Sequence, residues 1–117
     1  MKYMLLIYQQ ETALSDAERQ ECYKESAQFA RELDSRGQYV AAAPLHPTSL
    51  ARSVRRPNGK PLVTDGPFAE TREQLGGFFM VEAKDVQSAI DIAARLPAGR
   101  WGTVEVRPVL EIPGLPA

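Results

Sequence analysis

Two carboxylates stand five residues apart in the segment Thr64-Asp65-Gly66-Pro67-Phe68-Ala69-Glu70. An aspartate ahead of Gly-Pro bonds the amides of its own turn and is held ionised there, while a carboxylate raised by burial stays protonated. Such a pair divides the work of general base and general acid, which makes Asp65 and Glu70 candidate catalytic groups. His46, the sole histidine, lies in the loop Pro44-Leu45-His46-Pro47 and is a third candidate, because its free pKa suits proton transfer near neutrality. Tyr8, Arg52 and Arg107 are candidate substrate contacts. Arg107 leads them because a guanidinium grips a carboxylate through two parallel bonds.

Each of these residues also has a plain structural role. Asp65 is explained by the turn alone, Glu70 with Arg72 and Glu73 makes an exposed salt-linked crossing, and a proline-flanked histidine faces solvent. Cys22 sits on the apolar stripe of a helix with no polarising partner in local sequence, so it reads as core.

Several chemistries lack their residues. One histidine, one cysteine and scattered carboxylates have no metal-ligand spacing, and no cofactor is expected. Gly76-Gly77 opens a strand rather than a helix, so it reads as a site of close packing and not as a phosphate cradle. The net charge of -1 gives no field for a polyanion, which argues against direct nucleic-acid binding. A lone cysteine closes no intrachain disulfide, and the apolar run Met1 to Tyr8 is stopped by Gln9-Gln10-Glu11 before it reaches signal or membrane-span length. A cytoplasmic protein without a membrane partner is the expectation.

The elements that must position these residues follow from periodicity. The 117 residues, 44% of them hydrophobic and 25% charged, suit one domain with one core. Residues 1–112 form that domain, and 113–117, with two prolines and a glycine, form a loose tail. Lys2 to Gln9 is a strand apolar on both faces, with Tyr3, Leu5 and Ile7 against Met4, Leu6 and Tyr8. Ser15-Asp16-Ala17-Glu18 is a capping box that starts a helix whose stripe runs through Cys22, Phe29, Ala30 and Leu33 to a stop at Gly37.

Gln38 to Ala43 is a second strand. Ser49 to Arg56 and Lys60 to Thr64 flank Pro57-Asn58-Gly59 as a β-hairpin arm carrying Arg52, Arg55, Arg56 and Lys60. Gly76 to Val81 is again apolar on both faces. Asp85 caps a second helix with a stripe of Val86, Ala89, Ile90 and Ala93, and Trp101 lies in a loop before an alternating strand from Thr103 to Val109.

That order is a ferredoxin-like βαββαβ plan with an inserted hairpin, in the α+β class, and its first and third strands are the ones that belong at the sheet centre. Two helices cover one face. A second copy of the chain, packed sheet to sheet, is the expected cover for the other, burying Met4 or Tyr3 and one of Phe78 or Phe79.

Thr64 to Glu73, followed by Gly76-Gly77-Phe78 and Val104-Glu105-Val106-Arg107-Pro108-Val109, closely resembles the DGPF subgroup of the YCII-related family, as does Met1 to Tyr8. The resemblance implies a ferredoxin-like, dimeric α+β barrel. It also implies a suspected activity based on a histidine and an aspartate, and for some DGPF members a link to sigma factors. The family histidine is expected on the first helix, and Ser15 to Arg36 contains none, so the family role is not carried over to His46 by position. The functional expectation is a small-molecule site near the Asp65 turn, with cofactor-free acid-base chemistry on a polar or anionic metabolite. Its alternative is a non-catalytic module contacting a sigma factor through the arm.

Overall fold

Alternation along the first strand decides the layout. In the computed structural model, which describes residues 1–116, Tyr3, Leu5 and Ile7 of β1 (Lys2–Gln9) are buried, and Met4, Leu6 and Tyr8 on its other side are half-buried. β1 lies beside β5 (Gln74–Glu82) at the centre of a four-stranded antiparallel sheet. β2 (Tyr39–Pro44) is the outer neighbour of β5 and β6 (Gly102–Pro108) that of β1. This is the ferredoxin-like arrangement, with the two doubly apolar strands in the middle as their patterning predicts.

Helices α1 (Asp16–Ser35) and α2 (Val86–Ala94) both lie on the face presented by Tyr3, Leu5, Ile7, Phe79 and Val81. The α1 start is the predicted capping box. The Ser15 hydroxyl accepts from the Glu18 N–H at 3.1 Å, and the Glu18 carboxylate accepts from the Ser15 N–H at 2.9 Å. Gly37, at φ 71°, turns the chain out of the helix.

Phe29 and Leu33 then meet the sheet, with the Phe29 ring 6.1 Å from that of Phe79. The α2 stripe differs from expectation. Ala89, Ile92 and Ala93 are buried, followed by Leu96, whereas Val86 and Ile90 are 51% and 43% exposed. The spacing from Ala89 to Leu96 is the one that keeps a single helical face on the sheet.

Two glycines let strands approach closely. A Cβ on Gly77 would stand 2.9 Å from the Ala43 carbonyl oxygen of β2, and one on Gly102 would stand 1.9 Å from the Tyr8 carbonyl oxygen of β1. Pro44 extends β2 one residue beyond the expected end, because an edge strand leaves its nitrogen side unpaired.

The Trp101 segment is more ordered than a loop. Pro97–Trp101 forms a 3-10 helix whose Arg100 makes a two-pronged ion pair with Glu25 of α1, at 2.8 and 3.1 Å.

The inserted hairpin forms a separate two-stranded sheet of β3 (Arg52–Arg55) and β4 (Leu62–Asp65). Both strands are shorter than the sequence suggests. Pro47 leads into a 3-10 turn at Thr48–Leu50, and Pro57–Gly59 forms another at the tip, so pairing stops at Arg55 and Leu62. The arm buries little: Leu50, Val54, Leu62, Val63 and Phe68 are each at least half exposed.

Opposite the helices, Met4, Leu6 and Tyr8 of β1, with Phe78 and Met80 of β5, make a half-buried apolar sheet face on which neither α1 nor α2 lies. Cross-strand pairs Leu6 with Phe78 and Met4 with Met80 run along it. The side chains available to a partner are therefore Met4 and Phe78, since Tyr3 and Phe79 belong to the helix side.

Candidate functional site

Filling between α1 and the sheet is uneven, and that unevenness makes a cavity. At the C-terminal half of α1, Phe29 and Leu33 close the gap to the sheet. One and two turns earlier the same helical face carries Ser26 and Cys22, which are too small to span it. A cavity of about 510 Å³ results, within the size range of small-molecule sites.

Its floor is apolar, with Ile7 of β1, Phe79 of β5, and Leu14 and Cys22. The last two are buried yet stand outside the main core cluster. Its polar lining comes from Gln9 at the end of β1 and Glu11 after it, from Arg19, Gln20, Tyr23 and Ser26 on α1, from His46, and from Gln74 of β5.

The loop that bears His46 is pinned on both sides. Upstream, the Leu45 N–H donates to the Gly76 carbonyl at 2.9 Å. Downstream, the Glu11 carboxylate takes the Thr48 N–H at 2.7 Å and the Thr48 hydroxyl as well. These bonds hold Glu11 below the usual carboxylate range, the hydroxyl bond contributing most.

Arg19 reaches back to the segment after β1 and to its own helix. It donates to the Glu11 backbone carbonyl at 3.1 Å and lies 3.4 Å from the Asp16 carboxylate. Both formal charges at the cavity wall thus have protein partners.

Cys22 behaves as the sequence suggests. Burial pushes its thiol up, and the Ser26 hydroxyl and then the Arg100 charge oppose this without reversing it. The neutral thiol is a wall atom and not a nucleophile.

Of the six candidate site residues, His46 alone lines this cavity, and its side chain is exposed. Asp65 is on the arm, its side chain 89% exposed and paired with Arg52 at 3.1 Å. Glu70 is exposed in the following loop. Tyr8 and Arg107 share the open face of the sheet, where Arg107 lies 3.7 Å from the Glu105 carboxylate. Asp65 and Arg52 are thus brought to one place, Tyr8 and Arg107 to another, and His46 to a third.

The sequence reading passed over Gln9, Glu11, Arg19, Gln20, Tyr23, Ser26 and Gln74. A signal for them exists: Arg19, Cys22, Tyr23 and Ser26 follow helical spacing directly after the capping box, and Gln9-Gln10-Glu11 ends a central strand facing them. Among the described residues, no three His, Cys, Asp or Glu side chains gather where they could hold a metal ion. No helix there is long and apolar enough to cross a membrane.

The antiparallel four-stranded sheet with two helices on one face defines an α+β protein of ferredoxin-like type. The chain belongs to the YCII-related family, whose domain matches residues 1–113. An uncharacterised protein of Rhizobium meliloti (strain 1021) is 34% identical over 114 residues, which cover 93% of this chain and 92% of that protein.

Among solved structures, the 5-chloro-2-hydroxyhydroquinone dehydrochlorinase of Burkholderia phenoliruptrix AC1100, in complex with 2,5-dihydroxybenzoquinone, superposes with a TM-score of 0.58. It is 13% identical and the match covers 94% of each chain. At that identity the likeness is one of fold.

Proposed function

We propose that the chain binds a small organic molecule in the cavity between α1 and the sheet, with His46 as the group that exchanges a proton with it. The carrying observation is the cavity itself: about 510 Å³, apolar at the floor, polar at the His46 end, and bounded by a loop held at both sides. An imidazole in that place suits acid-base chemistry near neutrality without a cofactor. That a fold neighbour is a dehydrochlorinase in complex with a small ring compound is in keeping with this reading.

Asp65, Glu70, Arg52, Tyr8 and Arg107 do not line this cavity, so this reading gives them no part in it. Thermal-shift screening against a metabolite library tests the reading. A stabilising compound should lose its effect in Ser26→Phe, which fills the cavity, and keep it in Asp65→Asn. The opposite pattern defeats the proposal.

A second copy of the chain is the cover we assign to the open sheet face, because Met4, Leu6, Phe78 and Met80 form a continuous apolar surface there. Light scattering at micromolar concentration should give twice the chain mass, and Phe78→Glu should halve it.

The arm favours a second functional reading, as a non-catalytic contact for a regulatory protein such as a sigma factor. It shows Val54, Leu62, Val63 and Phe68 to solvent beside Arg52, Arg55, Arg56 and Lys60. Charge reversal of Arg55 and Arg56 should abolish capture of such a partner, and full retention rejects this reading.

A further inference from the structure

One buried polar atom in the cavity wall has nothing to bond. Among the described residues, the Gln9 oxygen Oε1 is the one side-chain nitrogen or oxygen shut off from water without a hydrogen-bond partner. An acceptor in that state costs free energy, and native proteins leave few of them. Gln9 lines the cavity from the end of β1.

The strand register sets a second glutamine directly across from it. Pairing between β1 and β5 slips by one residue at Gly76, so Ile7 faces Gly77, Tyr8 faces Leu75, and Gln9 faces Gln74 rather than Leu75. Gln74 lines the same cavity. Side chains directly opposite on antiparallel strands start about 5 Å apart, close enough to meet on one ligand atom. Gly76 also leaves the Gln9 amide room, since a Cβ there would stand 3.3 Å from its Nε2.

Both glutamines offer an oxygen. Gln74 Nε2 donates to the Ala69 carbonyl at 3.1 Å and to the Thr71 carbonyl at 2.8 Å. With both of its protons placed, only its Oε1 remains for a ligand. The Gln9 oxygen gives up no bond by moving, so a turn about the last torsion of its side chain brings it to the cavity at no loss.

Two acceptors call for two protons on one atom. A hydroxyl has one to give and a ketone none, whereas an –NH2 group has two. We infer that Gln9 and Gln74 form an acceptor subsite that selects ligands carrying a primary amide or amino group, the rest of the molecule lying on the apolar floor of Ile7, Leu14 and Phe79. The inference rests on the cavity being the ligand site, and it names the polar group that the first reading leaves open.

Three probes test it at pH 7. Hexanamide and heptan-2-one share length and shape and differ in one –NH2 against one –CH3, and hexylamine carries the nitrogen donor as a cation. Titrations of the wild-type chain are followed by NMR, on backbone amides around the cavity and on the side-chain –NH2 signals of Gln9 and Gln74. The ketone is more apolar than the amide, so a cavity without the acceptor pair prefers it. Hexanamide should instead bind at least about threefold more tightly and shift the Gln9 side-chain signals, and Gln9→Met should reverse that order. Hexylamine as the tightest of the three keeps the inference and assigns the donor to a cation.

Heptan-2-one binding as tightly as the nitrogen probes, cavity shifts that leave the Gln9 side-chain signals unmoved, or an unchanged order in Gln9→Met overturns the subsite and leaves the site reading standing. If no probe binds, the library decides: cavity ligands bearing –NH2 uphold the subsite, and cavity ligands without it overturn the subsite alone. A library that perturbs none of the cavity signals overturns the site reading itself. The wild-type titrations decide the matter even if Gln9→Met fails to fold.

Discussion

The Glu11 carboxylate accepts both hydrogen-bonding groups of Thr48, joining the segment after the first strand to the segment after the second across 37 residues of chain. Glu11→Gln should lower stability by about 1 kcal/mol, the small value expected for a charge-assisted bond at an exposed site. The sign of its pH dependence follows from the depressed carboxyl. The contribution is complete above the ordinary carboxylate value of 4.5 and fades as pH falls through the lower folded value. Denaturant titrations from pH 7 to pH 3 should therefore show wild type and variant converging at the acid end. A constant gap would mean that the bond does not depend on the carboxylate charge.

Cys22 should resist alkylation. Its thiol is buried and pushed up by that burial, so little thiolate exists at neutral pH. Iodoacetamide at pH 8 should label the native chain at least about tenfold more slowly than the urea-unfolded chain. A cavity ligand should slow it further, since Cys22 forms part of the floor. Equal rates in the folded and unfolded chain would contradict the closed packing around this side chain.

The sheet should be sensitive where β6 meets β1. A methyl on Gly102 would collide with the Tyr8 carbonyl, so Gly102→Ala should cost about 2 kcal/mol by forcing the strands apart. Leu5→Ala should cost about 3 kcal/mol, as the side chain is fully buried at the centre of the core. Leu50→Ala, at the base of the arm and 63% exposed, should stay within about 0.5 kcal/mol of wild type. Urea unfolding of the three variants gives the comparison directly.

Asp65→Asn should leave stability within about 0.5 kcal/mol, because the pair it makes with Arg52 is solvated on both sides. It should also leave cavity binding unchanged, whereas His46→Ala should weaken it about tenfold through loss of one polar contact at the mouth. Calorimetric titration with a cavity ligand distinguishes the two positions.

The fold was open to sequence reasoning because its signals are local and redundant. The two-sided apolar runs around Leu5 and Phe79 could only lie at the sheet centre, and Ser15 with Glu18 fixed where the first helix begins. The site was harder, because it comes from what is missing. Cys22 and Ser26 read as ordinary small residues on a helix, and the space beside them exists only once Ile7 and Phe79 are placed opposite. The bond between Glu11 and Thr48 left no signal, since the two are 37 residues apart in sequence. The arm was foreseen as a hairpin, but the prolines at 47 and 57 shortened its strands. Val86 and Ile90 were placed inward because their spacing suits a helix, and the burial of Ile92 shows which of two adjoining stripes the sheet selected.

The room between α1 and the sheet is governed by two positions, Cys22 and Ser26, neither of which belongs to the main core cluster. Exchanging them for alanine, valine or leucine would resize the chamber in steps while the strands, the caps and the Phe29–Phe79 contact stay as they are. The volume of the proposed site is thereby set apart from the foldability of the scaffold, at a pair of helical positions.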